Sequence, residues 1–172
     1  MDEVELKFLN IDVDQIKQKL IGLGAKLIFD TQIESYSFYG NGFHISDSKM
    51  KYLRVRKVND EVTITYKSPT KESEMSNRKE IEIKVDDFDK TISLIEKMGL
   101  NKDKIFKKNR SHYELENIHF ELDTLENIPT FLEIETQTEQ EMKDICLRLN
   151  LNISEGKKGT IVEILPEMFN NI

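Results

Sequence analysis

Glu3-Val4-Glu5-Leu6-Lys7 opens the chain as a run of acid, apolar, acid, apolar and base. The run returns as Glu80-Ile81-Glu82-Ile83-Lys84, and part of it again as Glu133-Ile134-Glu135. Side chains alternate faces along a β-strand, so each copy puts carboxylates on one face and aliphatics on the other. One such strand is ordinary. Three of them, with basic strands between, predict a sheet whose charged face holds a charged ligand.

Working outward, the strand at about 2–9 leads to an amphipathic helix at 13–23, with Ile16, Leu20 and Leu23 on one stripe and Gly24 as its stop. Strand pattern follows over 26–39, and Asn41-Gly42 marks a turn. Residues 50–58 and 61–68 read as a hairpin about Asn59-Asp60, and 69–77 as a polar loop able to fold over a site mouth. A strand at 78–85 enters a helix at 87–98, capped by Asp86 or Asp87 and stopped at Gly99. Strands at 104–115 and 118–124 meet at Glu116-Asn117. The last strand, 130–136, opens a third helix through Thr138-Glu139-Gln140-Glu141, and 160–169 reads as a short terminal helix. Strand, helix and Gly-Leu recur at matching spacing in the two parts of the chain. This predicts two β-α-β-like halves, about 1–77 and 78–172, within a single domain over 1–172. The fold class expected is α+β, an eight-stranded antiparallel barrel, closed or nearly so, with a charged interior and helices outside.

Composition fits that picture. The 172 residues are 33% charged and 38% hydrophobic, as in a soluble globular protein. No apolar run approaches the roughly 20 residues that span a bilayer, and the chain enters a strand at once, so neither a membrane partner nor a secretory signal is expected. Cys146 is alone, which rules out an internal disulfide and points to the cytoplasm. A net charge of −7 argues against a nucleic-acid partner, though not against a local basic pocket for a small polyanion. With three His and no Gly-rich loop, common nucleophilic or P-loop chemistry has little to work with.

The polar parity of the strands gathers Glu3, Glu5 and Lys7; Arg54 and Arg56; Thr63, Thr65 and Lys67; Arg78, Glu80, Glu82 and Lys84; Lys108, Arg110 and His112; Glu121 and Asp123; Glu133 and Glu135. The opposite parity carries Val4, Leu6, Phe8, Leu53, Val55, Val62, Ile64, Ile81, Ile83, Val85, Leu122, Leu132 and Ile134, which the helices are expected to cover. The competing expectation is a solvated outer face, common in antiparallel sheets. Sorting of the signs onto separate strands weighs against it. Arg54, Arg56, Lys67, Lys108 and Arg110 can clamp phosphate oxygens, while Glu3, Glu5, Asp123, Glu133 and Glu135 are hard ligands suited to Mg²⁺ or Mn²⁺. His112 is read as hydrogen-bonded within the sheet, with phosphate contact the alternative; His44 and His119 carry no assignment. Tyr36, Phe38 and Tyr39 are read as core, with base stacking the alternative.

These residues carry a resemblance. Glu3, Glu5 and Lys7, then Tyr52-Leu53-Arg54-Val55-Arg56, Tyr66-Lys67-Ser68-Pro69, Arg78-Lys79-Glu80-Ile81-Glu82, Lys108-Asn109-Arg110-Ser111-His112-Tyr113, Glu121-Leu122-Asp123 and Phe131-Leu132-Glu133-Ile134-Glu135 run in the order seen in CYTH proteins. That superfamily holds the class IV adenylyl cyclases and thiamine triphosphatases, the triphosphate tunnel metalloenzymes. The resemblance implies metal ligation by Glu3, Glu5 and Glu135, with Glu133 and Asp123 contributing. It implies phosphate contacts or catalytic roles for Lys7, Arg54, Arg56, Lys67, Arg78, Lys108 and Arg110. Glu80, Glu82 and Glu121 would lie in the tunnel. The implied partner is a triphosphate (ATP, thiamine triphosphate or tripolyphosphate), and a homodimer is compatible. The look is closest to class IV adenylyl cyclases, with triphosphate hydrolysis and non-catalytic nucleotide or polyphosphate binding as alternatives. Two stretches depart from the relatives' pattern: Tyr36-Ser37-Phe38-Tyr39-Gly40 lacks an Asp, and Ile161 stands where Tyr is frequent.

Overall fold

A computed structural model describes residues 4–43, 51–69, 78–103 and 105–169. Its elements run β1 (Val4–Phe8), α1 (Val13–Gly22), β2 (Lys26–Tyr39), β3 (Tyr52–Val58), β4 (Glu61–Pro69), β5 (Arg78–Val85), α2 (Phe88–Lys97), β6 (Asn101–Lys102), β7 (Phe106–Leu115), β8 (Ile118–Leu125), β9 (Ile128–Thr136) and α3 (Glu139–Leu149). A 3₁₀ turn at Ile153–Glu155 and two one-turn helices, α4 (Ile161–Ile164) and α5 (Pro166–Phe169), follow. The terminal helix expected over 160–169 is thus two pieces broken at Leu165, since Pro166 removes a backbone donor. The loop expected to overhang a site mouth lies outside the described residues from position 70 on.

Local chemistry sets the boundaries. Asp12 accepts from the Gln15 amide and Asp87 from the Lys90 amide, each capping its helix. Thr138 caps α3 while Glu141 reaches back to the Gln137 amide. Asn41 and Gly42 sit at φ 50° and 86°, the left-handed pair that a tight primed turn requires. Asn59 and Glu116 take φ 53° and 55° at the two hairpin turns expected from sequence.

The strand order is β1-β9-β8-β7-β2-β3-β4-β5, with β6 added beside β2. The pairs β1·β9, β8·β9, β7·β8, β2·β3, β3·β4 and β4·β5 are all antiparallel. This is an α+β architecture dominated by antiparallel sheet. The order ends at β1 and β5, so the described pairings form an open path and do not close a barrel.

The chain divides into two compact units, one of residues 1–31 and 108–172 and the other of residues 32–107. In the first, Leu6, Phe8, Phe120, Leu122, Leu132 and Ile134 from the strands pack with Ile16 and Leu20 of α1 and with Met142, Ile145 and Leu149 of α3. The aliphatic parity there is covered by helices as expected. In the second unit Phe38, Val55 and Val62 pack with Ile92 and Ile95 of α2. Here the expected cover fails for two residues: Ile81 and Ile83 of β5 are 53% and 54% exposed. A ten-residue helix covers a narrower strip than four strands present, and β5 stands last in the order.

Candidate functional site

In the first unit, register places the charges in rows across four strands. Lys7 pairs with Glu133, Glu133 with Glu121, and Glu121 with His112. On one side of that row lie Phe131, Asp123 and Arg110; on the other lie Glu5, Glu135, His119 and Glu114. Cross-strand neighbours stand about 4.5–5.5 Å apart at Cβ, close enough for side chains to pair directly.

The pairs are buried. Asp123 has no exposed surface, and it accepts from Arg110 Nε and Nη2 at 2.6 Å each and from Lys108 Nζ at 2.7 Å. Arg110 also meets Glu121 through Nη1, while Lys7 contacts Glu5 and lies 3.3 Å from Glu133. A solvated sheet face does not bury a carboxylate with two bases around it, because desolvated charge is costly unless fully paired. The electrostatics follow. Burial pulls the Lys108 pKa down, and the neighbouring Arg110 charge adds to this against the attraction of Asp123. Burial works against the Arg110 charge too, but the Asp123 hydrogen bonds and the Glu121 charge outweigh it and raise its pKa. For Glu121, burial pushes upward, yet the His112 contact and the charges of Arg110 and Lys108 hold it down at about 2. His112 is raised: contacts with Glu121 and Glu114 overcome the burial that opposes its charge.

In the second unit, Ser37, Arg54, Thr65 and Glu82 form one row, and Ser35, Arg56, Thr63 and Lys84 the next. Thr65 donates to Glu82 at 2.7 Å and receives a long 3.4 Å contact from Arg54. Arg56 reaches Glu82 at 3.4 Å, and Lys67 pairs with Glu80 at 2.7 Å. The Arg54 Nε and Thr63 Oγ are buried without hydrogen-bond partners. Buried donors normally find an acceptor, and the Arg54 Nε could donate to an anion.

The hard-ligand expectation has a counterpart in the first unit. Glu121, Asp123 and Glu133 each offer a carboxylate oxygen within 4.8 Å of the others, a donor set that fits a divalent oxophilic ion. Glu5 is half-exposed beside Lys7, and Glu135 stands opposite Glu5 and His119. Glu3 lies outside the described residues, as does the side chain of Arg78. Tyr36 packs on Phe88 with ring centres 6.1 Å apart, Phe38 is fully buried, and Tyr39 is 43% exposed.

Sequence reasoning left Glu114 and His119 without a role. Both stand beside His112, with His112 Nε2, Glu114 Oε1 and His119 Nδ1 separated by 3.2–3.4 Å. The signal was available in the turn. Once Glu116-Asn117 closes the hairpin, Leu115 must face Ile118 and Glu114 must face His119.

The rows and their ion pairs can be set beside known proteins. The CYTH domain family model matches residues 1–158, and the chain belongs to that family. It is 29% identical over 163 residues to "Putative adenylate cyclase MJ0240" of Methanocaldococcus jannaschii, covering 88% of this chain and 91% of that one. The structure of the PH1012 protein from Pyrococcus horikoshii is similar at a TM-score of 0.75 and 32% identity, over 94% of this chain and 98% of that chain. HpAC1 of Hippeastrum, described as having a dominant triphosphatase activity, shares the fold at a TM-score of 0.62 and 18% identity, over 96% and 95% of the two chains.

Proposed function

We propose that this chain is a divalent-metal-dependent enzyme acting on a triphosphate, and that its reaction is conversion of ATP to cyclic AMP and pyrophosphate. The observation that carries this reading is the buried set around Asp123. Lys108, Arg110 and Lys7 are held, already desolvated, by Asp123, Glu121 and Glu133. These three bases are each matched by an acid, with Glu5 also against Lys7. A triphosphate draws the bases to its oxygens, and the acids they leave are balanced by a cation.

In this reading Lys7, Lys108 and Arg110 hold phosphate oxygens and orient the reacting phosphorus, with Arg110 able to do so bidentately. Arg54, Arg56, Lys67 and Arg78 are further phosphate contacts, and the buried Arg54 Nε without a hydrogen-bond partner supports this for the second unit. Glu121, Asp123 and Glu133, with Glu3, Glu5 and Glu135, would hold Mg²⁺ or Mn²⁺, which when bound neutralises charge developing on the phosphate oxygens. Glu80 and Glu82 fix Lys67 and Arg56. We place the activity in a single CYTH domain over 1–172, folded as a charged tunnel and working in the cytoplasm as a monomer or homodimer.

In cyclisation the ribose 3′-oxygen forms the new bond to the α-phosphorus while the bond to the departing pyrophosphate breaks. The second reading is a triphosphatase, in which water bonds to the terminal phosphorus while that phosphorus's bond to the departing diphosphate oxygen breaks. What favours it is that Phe38 is fully buried, Tyr36 packs on Phe88 and the buried Ile161 has no hydroxyl, which leaves Tyr39 as the exposed aromatic of the three. A product assay with Mg²⁺ or Mn²⁺ on ATP, thiamine triphosphate and tripolyphosphate tests both. Cyclic AMP with pyrophosphate is expected. Orthophosphate alone moves the assignment to the triphosphatase, and no product from any substrate removes the enzyme.

A further inference from the structure

We propose that His112, Glu114 and His119 form a binding site for a transition-metal dication of the zinc type, sharing no ligand with the adjoining carboxylate set. The residues come from the two strands of one hairpin, β7 and β8. His112 and Glu114 share a face two positions apart, and His119 faces Glu114 across the ladder. Their ligand atoms are 3.2, 3.4 and 3.4 Å apart. Zinc bonds of about 2.0–2.1 Å to nitrogen or oxygen make a tetrahedron whose edges are about 3.3–3.4 Å. An octahedral ion at the same bond length has edges of about 2.8–3.0 Å, so the observed triangle suits four-coordinate geometry. Two imidazoles and one carboxylate are also the donors that a borderline ion prefers over Mg²⁺.

The surroundings prepare the site. Glu121 lies 3.4 Å from His112 Nδ1, a buried nitrogen with no full hydrogen bond. A carboxylate on that side keeps the proton on Nδ1 and leaves the Nε2 lone pair aimed at the cluster, the arrangement that metal-bound histidines adopt. Phe29 lies flat on His112, ring centres 5.2 Å apart and planes 11° from parallel, fixing the ring's orientation. Glu114 and His119 are 39% and 41% exposed, which gives an ion entry and leaves a fourth position for water.

The test is a Co²⁺ titration of the full chain in excess Mg²⁺, followed by visible absorption and equilibrium dialysis. Excess Mg²⁺ occupies hard oxygen sites, and the visible bands report nitrogen-containing tetrahedral coordination. One equivalent of Co²⁺ is expected, displaced by Zn²⁺ and not by Mg²⁺. Loss of a mere supporting residue weakens metal sites by about 10–100-fold, so His119→Ala and Glu114→Gln should each weaken binding by at least about tenfold. Both positions are partly exposed, and circular dichroism of each metal-free variant checks that the fold is kept. No nitrogen-type spectrum, or equal affinity in the wild type and both folded variants, overturns the proposal and leaves a proton as what joins these groups.

Discussion

Removing Asp123 asks whether the charged face is buried or washed by solvent. In Asp123→Ala, Arg110 and Lys108 stay behind with side chains only 7% and 18% exposed. Taking one partner from a buried pair costs about 3–5 kcal/mol, whereas a solvated pair is worth about 0–1 kcal/mol. Glu121 remains to hold Arg110, so the lower end, about 3 kcal/mol, is the expected loss. At about 2–4 °C per kcal/mol for a chain of this size, that lowers Tm by roughly 6–12 °C. The assay is urea and thermal unfolding by circular dichroism, without divalent ions. A companion variant sharpens it. Adding Lys108→Ala to Asp123→Ala removes the stranded ammonium, so the double variant should lose less than the two singles together, by about 0.5–3 kcal/mol. A loss below about 1 kcal/mol with additive singles would return the face to solvent and refute the reasoning.

Other expectations are smaller in scope. Arg54→Ala keeps its Tm but loses turnover by about 10²–10³-fold, the size seen when one positioned donor is removed, as steady-state rates will check. Phe120→Ala empties a fully buried site and costs about 3–5 kcal/mol, while Ile83→Ala on the exposed face of β5 stays within about 0.5 kcal/mol in urea titrations. Cys146 is buried and its thiol is pushed up to about 11, so disulfide reagents should label it slowly at about pH 8 in the folded protein and quickly in urea. The sign of the linkage follows. The folded thiol holds its proton longer than an unfolded one at about 8.5, so its contribution is complete below that pH and fades as pH rises toward about 11. Relative to Cys146→Ala, the wild type should lose urea stability over that interval.

Much of this was written in the alternation of single strands. Glu5, Lys7, Arg110, Asp123 and Glu133 share one parity because period two is a property of the local backbone, and so does the opposing core of Leu6, Leu122 and Leu132. Caps and turns were equally local, as at Thr138 and Glu116-Asn117. What did not follow is what depends on distant neighbours. Ile81 and Ile83 have the same pattern as Val4 and Leu6, yet exposure is decided by which helix lies over a strand. That Lys7 meets Glu133 as well as its near neighbour Glu5 is set by register between strands far apart in sequence. His119 was passed over for a different reason. Its partners arrive from the facing strand, and its own stretch of sequence shows none of them.

The pairing of β1 with β9 has a consequence for the order in which the protein is made. Val4 and Thr136 sit side by side although 132 positions separate them, and every residue of β1 waits for that distant partner. Residues 32–107 are contiguous and leave the ribosome as an uninterrupted block, whereas the other unit is assembled from the two stretches that flank it. Long-range pairing is slow because the loop must be closed before contacts repay it. The Lys7–Glu133 ion pair is therefore a late event, and a chain stalled before residue 128 carries Lys7, Lys108 and Arg110 with Glu121 and Asp123 but without Glu133.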